Sequence, residues 1–248
     1  MIQQNEYSMT YVLTAGETDA EGRMPLTLIT ERVIEISTMH ADFLGIGYST
    51  LKRLGLGWVL SRVSIEMFDY PEINGNYTMT TWIESYNRHF SERNVVMTDA
   101  SGRVLGYMRT VWAAMNIEKR SCADLSAALG RPFPTADLPC PIAKAPRIGS
   151  LSENAECDRY TFRYRDLDFN RHVNTVRYLD LILNHWSLDF FDTHVPARFD
   201  IMFHHECHYG ETVELRVDSS ADGLTSECEI VRDGNTRCIA ASVRWKKV

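Results

Sequence analysis

No stretch of this chain approaches the roughly 18 consecutive apolar residues of a membrane span, which excludes a transmembrane helix. It has no C-x-x-C pair either. Its six cysteines, Cys122, Cys140, Cys157, Cys207, Cys228 and Cys238, are widely scattered. That argues against a zinc ribbon or a redox dithiol and for reduced thiols in a cytosol. The opening residues, MIQQNEYSMTYVLTAG, lack a basic region followed by an apolar one, so no secretion signal is expected. Strand-like sequence begins by about residue 7, so no transit peptide is expected. An excess of positive charge is missing as well. The formal net charge of −7 argues against nucleic acid as a partner, while leaving a local basic patch open.

What is present is ample core material. Of the 248 residues 44% are hydrophobic and 24% charged, enough for one large domain or two of about 125 residues. Five of the eight prolines (Pro132, Pro134, Pro139, Pro141 and Pro146) fall in RPFPTADLPCPIAKAPRIGSLSE, a segment with little periodicity that is expected to cross the surface as a linker. The same order of elements appears on each side of it. In the first half a short strand, about 7–15, leads to a helix with Leu26, Ile29, Val33, Ile36, His40 and Phe43 on one face, closed by Gly45 and Gly47. Strands at WVLSRVSIEM, YTMTTWIES, RNVVMTD and RVLGYMRTVWAAM follow. In the second half YTFRYR leads to a helix with the stripe Val176, Leu179, Leu183, Trp186 and Phe190. After it come RFDIMFHHE, TVELRVDS, TSECEIVRD and RCIAASVRWKK.

A strand, a helix and four antiparallel strands, twice over, imply a sheet wrapped around a central helix in two tandem copies. TDAEGRMPLT and RDLDFNRHVN occupy the same place before each helix. Pairing Asp19 with Asp166 sets Glu21 against Asp168, Arg23 against Asn170 and Pro25 against His172. On that pairing only the second half can carry Asn/His chemistry.

The stretch DLDFNRHVN, residues 166–174, crowds Asp166, Asp168, Asn170, Arg171, His172 and Asn174 into nine positions without a glycine. In an extended segment Asp168, Asn170 and His172 face one side, about 6–7 Å apart in succession. A helix starting at about Val173 then points its unpaired N–H groups at the same place. Such a site can polarise a carbonyl and hold a developing oxyanion. The alternative is helix capping by Asn170 or Asn174 with His172 on the surface; for Asn174 alone, capping is the preferred reading.

A second cluster lies at FHHECHYGE, residues 203–211. On a strand, His204, Glu206 and His208 share one face, and His205 and Cys207 the other. Four readings stand side by side: a His/Glu/His metal site without diagnostic spacing, a Cys207–His172 nucleophile pair, Glu206 as a general base for water, and a solvated strand end.

DLDFNRHVN ahead of a helix, with Glu206-Cys207 about a strand later, resembles the plant acyl-acyl carrier protein thioesterases and their bacterial relatives. The likeness runs along almost the whole chain: GWVLSRVSIEMFDYP, TWIES and GRVLGYMRTVWAAMN look like the family's N-terminal half. The resemblance implies an α+β fold of two tandem hotdog domains, each an antiparallel sheet around a long central helix. Residues 1–130 are then an N-terminal hotdog that binds the acyl chain, 131–156 a linker, and 157–248 the catalytic hotdog. It implies hydrolysis of the thioester of fatty acyl-acyl carrier protein, releasing a free fatty acid and ending chain elongation.

Carried over by position, the family's catalytic residues fall on Asp168, Asn170, His172 and Glu206. Cys207 also matches a family cysteine, although activated water suits a hotdog site better. The departing thiol belongs to the phosphopantetheine arm of the carrier, so no metal and no bound cofactor is expected. With no transit peptide expected, the resemblance implies a bacterial, cytoplasmic member. An acidic carrier meeting a net-negative chain needs a local basic patch, for which Lys144, Arg147, Arg171, Arg177 and Arg198 are candidates. Two other classes compete: a hotdog dehydratase on acyl-carrier substrates, which pairs His and a carboxylate across two half-sites, and a non-catalytic acyl-binding module. Chain length, tunnel-lining residues and oligomeric state are not legible.

Overall fold

The computed structural model describes residues 5–132, 134–149, 151–152 and 155–248. The chain divides into two compact units, Met1–Lys144 and Ala145–Val248.

The first unit begins with β1 (Glu6–Val12), followed by α1 (Leu26–Phe43) and α2 (Tyr48–Arg53). Four longer strands follow: β2 (Leu56–Met67), β3 (Asn76–Tyr86), β4 (Phe90–Asp99) and β5 (Val104–Asn116). The short β6 (Ser121–Cys122) and α3 (Leu125–Leu129) come last. The strands lie in the order β1-β3-β4-β5-β2, each neighbour antiparallel, and β6 adds to β5. Helix α1 packs on β1 and β3. Its buried face carries the stripe Leu26, Ile29, Val33, Ile36 and His40. Phe43, expected on that stripe, is 55% exposed: it is the last helical residue, and the chain turns away through Gly45 at φ +70. Glycine takes that left-handed conformation without a Cβ clash.

The proline-rich segment is bound rather than draped. Trp82 Nε1 donates to the Leu138 carbonyl at 2.7 Å, the Ala136 N–H donates to Ile83 O at 2.8 Å, and Arg109 Nη1 donates to Ile142 O at 3.2 Å. Cys140 and Ile142 are buried. The expected linker therefore begins as part of the first unit, up to Lys144. Phe133, Ser150, Glu153 and Asn154 of that segment lie outside the described residues.

The second unit repeats the plan with β7 (Glu156–Thr161), α4 (Thr175–Leu183), α5 (Leu188–Phe191), β8 (His194–Phe203), β9 (Thr212–Ser219), β10 (Thr225–Arg232) and β11 (Thr236–Lys247). Its order, β7-β9-β10-β11-β8, is that of the first unit strand for strand, again antiparallel. The tandem α+β hotdog architecture is present. One detail differs. The second central helix has nine residues against eighteen in α1: it ends at Leu183, short of Trp186 and Phe190 on the expected stripe. Asn184 closes α4 with its N–H on Asp180 O, and Ser187 starts α5 by accepting the Phe190 N–H at 3.3 Å. Trp186 lies between the two helices and packs edgewise on Trp245, ring centres 4.7 Å apart.

Candidate active site

The segment from Asp168 to His172 is a tight turn, not the extended run expected. The Asp168 N–H donates to His172 O at 2.8 Å, and the Arg171 N–H donates to Asp168 O at 3.0 Å. One carboxylate oxygen of Asp168 accepts the N–H groups of Asn170 (2.8 Å) and His172 (3.1 Å). An aspartate that captures two following N–H groups makes a turn without glycine. Arg171 closes it at φ +65, a left-handed conformation that costs a non-glycine residue roughly 1–2 kcal/mol.

The first unit has the same turn, and it corrects the pairing of the halves. The Asp19 N–H donates to Arg23 O at 2.9 Å, and Asp19 Oδ1 accepts the N–H groups of Glu21 (3.2 Å) and Arg23 (2.7 Å). Gly22 holds the left-handed position at φ +72. Asp19 thus corresponds to Asp168, not Asp166. Glu21 stands where the second half has Asn170, Arg23 where it has His172, and Pro25 where it has Asn174, which precedes the helix in each unit. The missing signal was glycine: Gly22 falls opposite Arg171, so the turn is recognisable only in the first copy.

Asp166 is structural. It is 8% exposed, and Oδ2 accepts the Arg163 N–H at 2.6 Å and the Tyr160 hydroxyl at 3.1 Å. Asn174 is the N-cap of α4, its side chain accepting the Val176 N–H at 3.3 Å, so the helix starts at Thr175 rather than Val173.

Strand β8 stops at Phe203, three residues before Glu206. Beyond it the chain is pinned by N–H groups of His204 and His205 on Cys238 O (2.8 and 3.2 Å). It then runs antiparallel to the turn, with the Val173 N–H on Cys207 O at 2.9 Å and a bridge between His172 and His208. This brings His172 Nδ1 to 3.4 Å from Glu206 Oε1. His208 completes a cluster with them, its ring centre 5.1 Å from that of His172. His204, expected on the same face, is exposed and outside that cluster. Both His172 and Glu206 are about one-third exposed, at 31% and 36% of the side chain, so a substrate can reach them.

Of the other expected residues, Asp168 holds the turn's backbone, and Asn170 is exposed at its tip with Nδ2 3.3 Å from Asp168 Oδ2. Cys207 is fully buried. Its N–H donates to the Tyr178 hydroxyl at 3.1 Å. Hydrogen bonding by the Cys238 thiol, with Tyr178 adding to it, lowers the Cys207 pKa against the opposing effect of burial. That lowering comes from neighbours other than histidine, and the sulfur is buried away from the open site.

A cleft of about 660 Å³ opens beside the turn, lined by Tyr164, Arg165, Asp168, Arg171, His208 and Tyr209 among others. Tyr164 (83%) and Tyr209 (66%) stand exposed in its lining, and Phe169 (79%) is exposed in the turn. Of the basic residues expected to form a patch, Arg198 is buried in a two-toothed ion pair with Asp200 (2.7 and 2.9 Å). Arg177 pairs with Asp180 and Lys144 with Glu92. Arg171 lines the cleft, where Arg165 joins it.

Residues 4–130 match the acyl-ACP thioesterase N-terminal domain and residues 149–247 the C-terminal domain of that family. The oleoyl-acyl carrier protein thioesterase of Coriandrum sativum is 24% identical over 96% of this chain and 69% of its own length. Oleoyl-acyl carrier protein thioesterase 2 of Arabidopsis thaliana is 24% identical over 84% of this chain and 61% of its own. The chain therefore spans about two thirds of these chloroplastic proteins. The crystal structure of an acyl-ACP thioesterase from Bacteroides thetaiotaomicron superposes with a TM-score of 0.88 at 27% identity, covering 97% of this chain and 98% of that one. With both halves of the family matched in order and a structural counterpart of full length, the chain belongs to the acyl-ACP thioesterase family and is a thioester hydrolase of the hotdog fold.

Proposed function

We propose that this chain releases fatty acid from acyl-acyl carrier protein by water attack, with Glu206 as general base and His172 as its partner. The observation that carries this reading is the 3.4 Å approach of His172 Nδ1 to Glu206 Oε1 in a site open to solvent. Glu206 takes a proton from water as the water oxygen adds to the thioester carbonyl carbon. The Asn170 amide donates to the carbonyl oxygen as it becomes an oxyanion. On collapse the C–S bond breaks, and Glu206 passes its proton to His172 Nδ1. His172 gives up one from its other ring nitrogen to the departing phosphopantetheine sulfur, which returns both groups to their starting state. Asp168 is a positioning residue: it fixes the turn that presents Asn170 and His172.

The first unit, with Glu21 and Arg23 at the corresponding turn positions, serves as the acyl-binding half. Release of the acid ends elongation in fatty acid synthesis, and the bacterial structural counterpart supports a cytoplasmic setting. The test is a free-thiol assay on an acyl-carrier thioester run beside hydration of a crotonyl thioester. Thiol release without hydration is expected; hydration alone assigns a dehydratase, and neither assigns a binding module.

A further inference from the structure

His208 is not used by this mechanism, yet it faces the two groups that are. One nitrogen or oxygen from each of His172, Glu206 and His208 lies within 4.8 Å of the others. Two imidazoles and one carboxylate form the donor set of open zinc sites, in which a fourth position stays free for water. With bonds of 2.0–2.1 Å, neighbouring ligand atoms of a tetrahedral zinc ion sit about 3.3 Å apart. His172 Nδ1 and Glu206 Oε1, at 3.4 Å, already have that separation. The His208 side chain is 47% exposed, on the open side of the cluster.

The surroundings of His208 are those of a metal-binding imidazole, which commonly has a carboxylate behind it. Its Nδ1 lies 3.7 Å from Glu211 Oε1, and its backbone N–H donates to Glu211 Oε2 at 2.9 Å. Glu211 is in turn fixed by Arg232 Nη1 at 2.8 and 2.9 Å. His208 also lines the cleft, which supplies a path for entry.

We propose that His172, Glu206 and His208 bind one zinc ion, and that the bound ion switches the hydrolase off by occupying its water-activating pair. The inhibitory half rests on the function proposed above; the metal site does not. In a zinc-loaded chain the Glu206 carboxylate and the His172 imidazole are both held on the ion, so neither takes or delivers a proton. Local free zinc then sets the fraction of active enzyme, and a chelator restores it.

The test is calorimetric titration of the chelator-treated full chain with zinc sulfate, with thioester hydrolysis assayed in parallel. One ion per chain is expected, with activity falling at the same midpoint and returning on chelation. His208→Ala removes a direct ligand and Glu211→Gln its support, so each should weaken binding by about 10-fold or more while leaving zinc-free turnover in place. Absence of binding, or equal affinity in His208→Ala, overturns the metal site. Stoichiometric binding that is weakened in His208→Ala but leaves activity unchanged or higher overturns the inhibition; the role of the Glu206–His172 pair is read separately, from Glu206→Gln and His172→Ala in zinc-free enzyme.

Discussion

His172 and Glu206 approach to 3.4 Å although neither lies in a helix or a long strand. Two short backbone links, from the turn before α4 to the segment after β8, hold them there. Groups that relay one proton lose function together. Glu206→Gln and His172→Ala should each lower kcat by about 10²-fold or more with KM little changed. The double variant should then be scarcely worse than either single one. Losses that multiply in the double variant would show two independent roles.

The turn cap gives a stability test. Asn174→Ala removes the acceptor for the Val176 N–H and should cost about 1 kcal/mol. In a chain of this length that lowers Tm by about 2–4 °C, while kcat stays near the parent value. A collapse of kcat at unchanged Tm would move Asn174 from cap to catalytic group.

The repeat was legible because order alone carries it: six elements recur, and the strand boundaries of β9 and β10 nearly coincide with TVELRVDS and TSECEIVRD. The proposed His172–Glu206 pair was legible as residues but not as geometry. Period-two spacing in Asp168, Asn170 and His172 suggested a strand, whereas the Asp168 carboxylate takes two N–H groups and folds the segment back. Single-residue features decided what pattern could not: Asn184 and Ser187 break the second helix, and Arg171 hides a left-handed position that Gly22 reveals in the other copy. His208 was legible as a candidate metal ligand beside Glu206, but in company with His204; that it meets His172 instead was not, because their proximity depends on a bridge between segments far apart in sequence.

Acid sensitivity should trace partly to His40. It is fully buried, and burial, with Arg93 beside it, lowers its pKa from 6.5 to about 3. Arg93 Nη1 lies 2.7 Å from His40 Nδ1, a contact that needs the neutral ring. Between those two values the unfolded chain binds a proton that the folded chain refuses, so stability falls as pH drops through that window. Urea unfolding of the parent and of His40→Gln, measured across the window, should show the parent losing more stability than the variant. A difference that stays constant with pH contradicts this assignment.

Docking of an acidic carrier should depend on Arg165 and Arg171 at the cleft. Arg171→Gly is a clean probe, since the matching turn already carries Gly22 at φ +72. Combined with Arg165→Gln it should raise KM for the carrier-bound thioester several-fold at low salt, and less as salt screens the parent's own attraction. A small acyl thioester should be unaffected. Equal changes for both substrates would place these arginines in the catalytic step instead.

The choice of nucleophile is settled most directly by comparing kcat of Glu206→Gln and Cys207→Ala on an acyl-carrier thioester, with acid-quenched samples of the parent examined by mass spectrometry. Cys207 is fully buried, and Glu206 stands beside His172 in an open site. Water attack predicts a loss of about 10²-fold or more for Glu206→Gln, a far smaller one for Cys207→Ala, and no acyl group on the protein. The reverse order, together with an acyl-cysteine trapped at Cys207, would contradict it.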